Sequence, residues 1–275
     1  MVALIVGLKW RLLRNGLRRN TPQLVGLIMA VLCGMGVLVA AMLALIDLRF
    51  SFDASVARTA VIIGGSVVIL GWAILPVVAY GIDETLDPAR FATYAVPRRQ
   101  LVLGLMLSSL VSVPGAVTAI LGMATVITWS RSLLAVVVAP VAAGIAVLTC
   151  VALSRVTSAA SFAMSRRRGG KEAVLLLMLL SSLGFGVASS AIMKAVSKPG
   201  LLSQVADVLG WTPRGLAWAA HADLVDGAVG SGLFLLALEL VFLVVGLMAW
   251  APLLQGTLGH ARTTDAHAAH TPNTT

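Results

Sequence analysis

Six long stretches that carry almost no charge constrain this chain more than any other feature. They cover residues 22–46, 60–82, 101–128, 133–154, 173–193 and 228–254. Each is near or above the roughly 20 residues that an α-helix needs to cross the hydrocarbon core of a bilayer. The first five hold no charged residue, and the last holds only Glu239. Only 11% of the chain is charged, against about 25% in an ordinary soluble domain. A β-barrel would show short alternating strands instead. The pattern predicts an all-α polytopic membrane protein. Residues 22–254 form its six-helix transmembrane domain.

The net charge of +9 is explained by where the basic residues fall. Lys9, Arg11, Arg14, Arg18 and Arg19 precede the first span. Arg90, Arg98 and Arg99 lie between spans 2 and 3. Arg155, Arg166, Arg167, Arg168 and Lys171 lie between spans 4 and 5, and Arg262 is in the tail. Fourteen basic residues therefore fall on one side. Six, Arg49, Arg58, Arg131, Lys194, Lys198 and Arg214, fall on the other. Cytoplasmic loops are the Lys- and Arg-rich ones. Both termini are expected in the cytoplasm, with the chain in the plasma membrane. The basicity reads as a topology signal, and no nucleic-acid partner is expected.

Within 1–21, Val6, Trp10, Leu13 and Leu17 share one helical face, while Arg11, Arg14 and Arg18 share another. This predicts an amphipathic helix on the anionic membrane surface. The same arginines also suit a plain positive-inside anchor. Pro76, Pro114 and Pro140 sit within spans 2, 3 and 4, and each removes a backbone donor and kinks its helix. Cys33 and Cys150 both lie in spans and are expected as free packing residues. "GGKEA" (169–173) lacks the Lys-Ser/Thr of a phosphate-binding loop. The chain thus carries no nucleotide motif, and no cofactor or metal of its own is expected.

Segment 194–227 is too polar to span yet rich in Leu, Val, Ala and Trp. Two short helices are predicted there, dipping into the outer leaflet or capping the bundle as an external cap; the segment also suits an ordinary amphipathic loop. Thr212 is placed as a helix cap, with Pro213 at the first helical position. Trp211 and Trp218 are placed at the membrane–water interface. The tail 255–275 is polar and includes His260, His267 and His270. It is expected to be disordered.

The loop "GIDETLDPARFATYAVPRRQ" (81–100) is unusual because it carries acids. Asp87-Pro88 is a helix start, with the acid on the free N–H groups. The helix is expected to end before Pro97. Asp83 and Glu84 crowd the C-terminal end of span 2, where the helix dipole prefers cations. A charge in an unfavourable place points to an outside partner with basic groups.

The stretch "WAILPVVAYGIDETLDPARFATYAVPRRQLVLGL" (72–105) resembles actinobacterial ABC-2-type export permeases. "LKWRLLRNGLRRNTPQLVGLIM" (8–29), "VITWSRS" (126–132) and "LGWTPRGLAWAA" (209–220) look similar too. The resemblance covers most of residues 1–254, and "DETLDPARF" is its most specific part. It implies the membrane half of an ATP-driven exporter with six spans per half. A separate ABC ATPase subunit would bind ATP and Mg. The segment between spans 2 and 3 would be the coupling helix that docks on that ATPase, through Asp83, Glu84, Asp87, Arg90 and Phe91. The 5–6 segment would be the external cap. Many relatives are about twice this length, with a second six-span half. Here a second copy or another membrane subunit would complete the pathway. The apolar spans and their scarcity of charge favour an amphipathic cargo, a drug, lipid or peptide.

Glu239 stands about eleven residues into the last span, roughly 16 Å deep at 1.5 Å per residue. A carboxylate at that depth is a functional candidate for cargo or protons. It also suits a protonated or locally paired structural acid. It supports a rival reading, a proton-coupled secondary transporter. A membrane scaffold or immunity-type protein is a third reading. A membrane-embedded enzyme would gather His, Asp or Glu at one membrane face, and no such set is visible.

Overall fold

The computed structural model describes residues 21–78, 98–130, 133–165 and 200–270, with a few isolated residues elsewhere. All the regular structure among the described residues is helical. The helices are α1 (Thr21–Phe50), α2 (Ala54–Val78), α3 (Arg98–Leu110), α4 (Val113–Trp129), α5 (Leu133–Ser165), α6 (Leu201–Gly210), α7 (Leu216–Val225) and α8 (Val229–His270).

Four of these, α1, α2, α5 and α8, are long and apolar enough to cross a membrane. A fifth span is added if α3 and α4 count as one broken crossing. The expected fifth stretch, 173–193, lies mostly outside the described residues. Its described members, Leu176, Leu179, Leu180, Leu183 and Ser190, are helical and exposed. Residues 1–20 lie outside as well, apart from Gly7 and Arg11.

Three boundaries differ from expectation. The loop expected at 47–59 shrinks to residues 51–53, because α1 continues to Phe50 and α2 begins at Ala54. The Ser51 N–H closes onto the Asp47 carbonyl at 2.8 Å, which finishes α1 with one extra turn. Helix α5 continues to Ser165, into the expected cytoplasmic loop. Helix α8 continues through residues 255–270, where a disordered tail was expected.

The third expected span is broken rather than kinked. The axes of α3 and α4 differ by 82° across Val111 and Ser112. The run "SSLVSVPG" explains this. Hydroxyls of Ser108 and Ser109 bond back to the Leu105 carbonyl, each at 2.9 Å. Ser112 adopts extended backbone, and its Oγ accepts the Gly115 N–H at 3.2 Å as an N-cap. Pro114 sits in the first turn of α4, where a missing N–H costs nothing. Residue 115 must be glycine, since a Cβ there would collide with backbone atoms of Ser109 and Leu110. Serines that compete for backbone bonds plus a proline thus stop one helix and start another.

The outer helix α1 packs on α4. Gly34 meets Val113 and Val117, and Thr128 Oγ1 donates to the Leu45 carbonyl at 3.0 Å. The two helices therefore run in the same direction. Most of the rest of α1 is exposed apolar surface, including Leu32, Met35, Val37 and Leu43, as lipid-facing helices are.

The core lies among α2, α5, α7 and α8, with the end of α4. Ile62, Ile69, Trp129, Ala146, Trp218 and Leu235 are among its buried members. Alanines on α5 and α7 let the backbones approach closely, as packing in lipid requires. A second cluster, with Leu105, Met106, Val151 and Leu243, joins α3 to α5 and α8.

Candidate functional site

Segment 200–227, expected on the external side, packs into the bundle through its second helix. Helix α7 is buried along nearly its whole length, from Leu216 to Leu224. Trp218 is therefore a core residue, 5% exposed. Its ring packs against protein, beside Gly65 of α2. Trp211 is exposed. The expected helix start at Thr212 is corrected, because α7 begins at Leu216, with Gly215 in the cap position. Thr212 Oγ1 instead donates back to the Leu209 carbonyl at 2.7 Å. The Thr212 carbonyl accepts the N–H groups of Gly215 and Leu216, and Pro213 forms part of this turn.

Three polar groupings are built into this apolar frame. The first ties the ends of four helices together. Arg58 of α2 donates to Asp207 of α6 at 2.6 Å and to Asp223 of α7 at 3.3 Å. Ser231 of α8 donates to the other Asp223 oxygen at 2.8 Å. Asp223 is the better buried acid, at 17% side-chain exposure against 61% for Asp207.

The second centres on His221 in α7. The ring is buried and stacks on Trp218, with centroids 6.2 Å apart. Its Nδ1 lies 2.6 Å from the Ala217 carbonyl oxygen. Its Nε2 lies 2.9 Å from the Ala139 carbonyl oxygen, on α5. A neutral imidazole has one N–H to donate, so only one carbonyl receives a proton at a time. Burial lowers the His221 pKa below its ordinary 6.5, and it outweighs the two carbonyls, which raise it.

The third is Glu239, on α8. It has no exposed surface, and neither carboxyl oxygen has a hydrogen-bond partner. Thr149 of α5 lies close enough to act on the carboxyl, yet its hydroxyl is also buried and short of hydrogen-bond geometry. The Cys150 thiol lies within electrostatic range of the same carboxyl. Both cysteines are free, with Cys33 exposed and Cys150 buried.

Arg155, in the C-terminal half of α5, holds the break between α3 and α4. Its guanidinium donates to Ser109 Oγ at 2.5 Å and to the Leu105 carbonyl at 3.3 Å. A cation thus meets the C-terminal end of α3, where helix carbonyls concentrate negative charge.

Asp83, Glu84, Asp87, Arg90 and Phe91 lie outside the described residues, as do Arg14 and Arg18. Arg11 is helical and exposed. Among the described residues no group of three or more His, Cys, Asp or Glu is placed to hold a metal. Sequence reasoning singled out Glu239 but missed His221, which falls in a segment read as external. It also missed the pairing of Arg58 with two acids far along the chain. The run of small apolar residues around His221, "LAWAAHADL", was the signal that this histidine would be buried.

No protein-family model, curated protein or solved structure matches this chain.

Proposed function

We propose that this chain is the membrane-spanning permease subunit of an ATP-driven exporter. It would pair with a second six-span half, either a copy of itself or another membrane subunit. A separate ATPase subunit that binds ATP and Mg would drive it. The observation that carries this reading is the acidic segment 83–100, placed by sequence between α2 and α3. An apolar bundle has little use for three carboxylates at a helix end, and the segment resembles the coupling helix of export permeases. The long apolar helices and the exposed apolar surface of α1 support a membrane location. The same surface suits lipid or a second half. Efflux would follow from differential stability of inward-open and outward-open arrangements, set by the state of the ATPase. The broken α3–α4 crossing and the apolar walls suit an amphipathic cargo.

The test is co-purification from native membranes in mild detergent. A phosphate-loop ATPase should accompany the normal chain. It should be lost when Asp83, Glu84 and Asp87 are changed to lysine. A chain that travels without any ATPase under gentle conditions would sink the exporter reading. The proton-coupled transporter would then come forward, since the buried Glu239 is the one observation that favours it.

A further inference from the structure

We propose that Glu239 and Thr149 form a proton-binding site at the interface of α5 and α8. The site is loaded in the arrangement described above and discharges when that interface opens to water. The argument starts from burial. Glu239 has no exposed surface, and both of its oxygens lack a hydrogen-bond partner. An ionised carboxylate in such a place costs several kcal/mol that no ion pair or hydrogen bond among the described residues repays. A bound proton removes that charge.

The groups on the facing helices leave the proton as the simplest occupant. On α5 the titratable and charged groups are Cys150, within electrostatic range of the carboxyl, and Arg155, whose guanidinium is engaged by Ser109 and Leu105. On α7 they are His221, set between two carbonyls, and Asp223, held by Arg58 and Ser231. Helix α8 carries no other charged side chain before Arg262. Thr149 supplies the second half of the site. Its hydroxyl is buried and unpartnered like the acid, and it can donate to the carboxylate or accept from the acid. Two unsatisfied polar groups facing each other across two long apolar helices are costly. A site that must be able to both hold and release a proton explains both. A divalent cation would need about six oxygen ligands, far more than this pair offers.

The site is common to the exporter reading and its proton-coupled rival. Its test reads protonation of one side chain, with no transport step. The full chain in lipid vesicles is treated with dicyclohexylcarbodiimide, an apolar reagent that modifies protonated carboxyls. Labelling is mapped by peptide mass spectrometry from about pH 5 to about pH 9. The expected result is a label on the Glu239 peptide that falls about tenfold per pH unit above a single midpoint. Thr149→Val should displace that midpoint, and an unmoved midpoint would remove Thr149 from the site. Infrared difference spectra between the normal chain and Glu239→Gln give a second readout. They should contain a carboxylic-acid carbonyl band with the same pH midpoint. No label together with a pH-independent acid band would overturn the proposal, leaving a permanently protonated packing residue. Protection from labelling by a lipophilic cation at fixed pH would overturn it in favour of a cationic-cargo site.

Discussion

The indole of Trp218 fills the space beside Gly65 so closely that a Cβ at residue 65 would overlap its ring atoms. This contact locks α7 into the bundle, because Trp218 is buried on α7 and Gly65 lies on α2. In lipid such packing, rather than escape from water, drives helices together. Gly65→Ala is therefore expected to cost about 1–3 kcal/mol through overpacking. Trp218→Ala should cost more, about 3–5 kcal/mol, because it leaves a large cavity. Trp218→Phe should be milder, because the indole N–H has no hydrogen-bond partner to lose. Thermal unfolding in detergent, followed by helical circular dichroism, orders the three. Equal midpoints for Gly65→Ala and the normal chain would show that the Trp218 ring is not seated against Gly65.

His221 predicts a pH dependence of stability. Burial holds its pKa below the ordinary 6.5, so the folded protein binds this proton less readily than the unfolded chain. Stability from this group is then complete above about pH 6.5 and falls as pH drops through the depressed value. The unfolding midpoint should decline on acidification below that point. His221→Phe should flatten the slope, even if it lowers the midpoint throughout. A slope of the opposite sign would mean that the two carbonyls, Ala217 and Ala139, outweigh burial and hold a charged ring.

The two acids on Arg58 should respond unequally. Asp207 is largely exposed, and a surface ion pair contributes about 0–1 kcal/mol. Asp223 is mostly buried and also accepts from Ser231. Hydrogen bonds to a charged group of that kind contribute about 1.5–3 kcal/mol. Asp223→Asn should therefore lower the unfolding midpoint clearly, and Asp207→Asn barely. Added salt should reduce the effect of Asp207→Asn before that of Asp223→Asn. A larger loss at Asp207 would reverse the assignment of which acid anchors α7.

Much of the frame was legible because a bilayer leaves a chain few options. Backbone groups in lipid must bond within their own segment, so long uncharged runs become helices. The runs at 22–46, 60–82, 133–154 and 228–254 coincide with α1, α2, α5 and α8 for that reason. The break at 111–112 was half legible. Pro114 marked a bend, but only the joint action of Ser108, Ser109, Ser112 and Gly115 turns a kink into 82°.

The sequence by itself determined an all-helical chain with several membrane-length apolar helices, and it marked Glu239 as a carboxyl where few belong. Local composition is enough for this, because the apolar length and the charge of a segment are properties of that segment alone. Only the tertiary structure decided that α7 belongs to the core, that Trp218 is buried, and that His221 meets the Ala139 carbonyl. Only it joined Arg58 to Asp207 and Asp223, and set Thr149 beside Glu239. These are contacts between residues up to 165 positions apart. They depend on which helix faces which, and that is settled by packing among similar apolar surfaces.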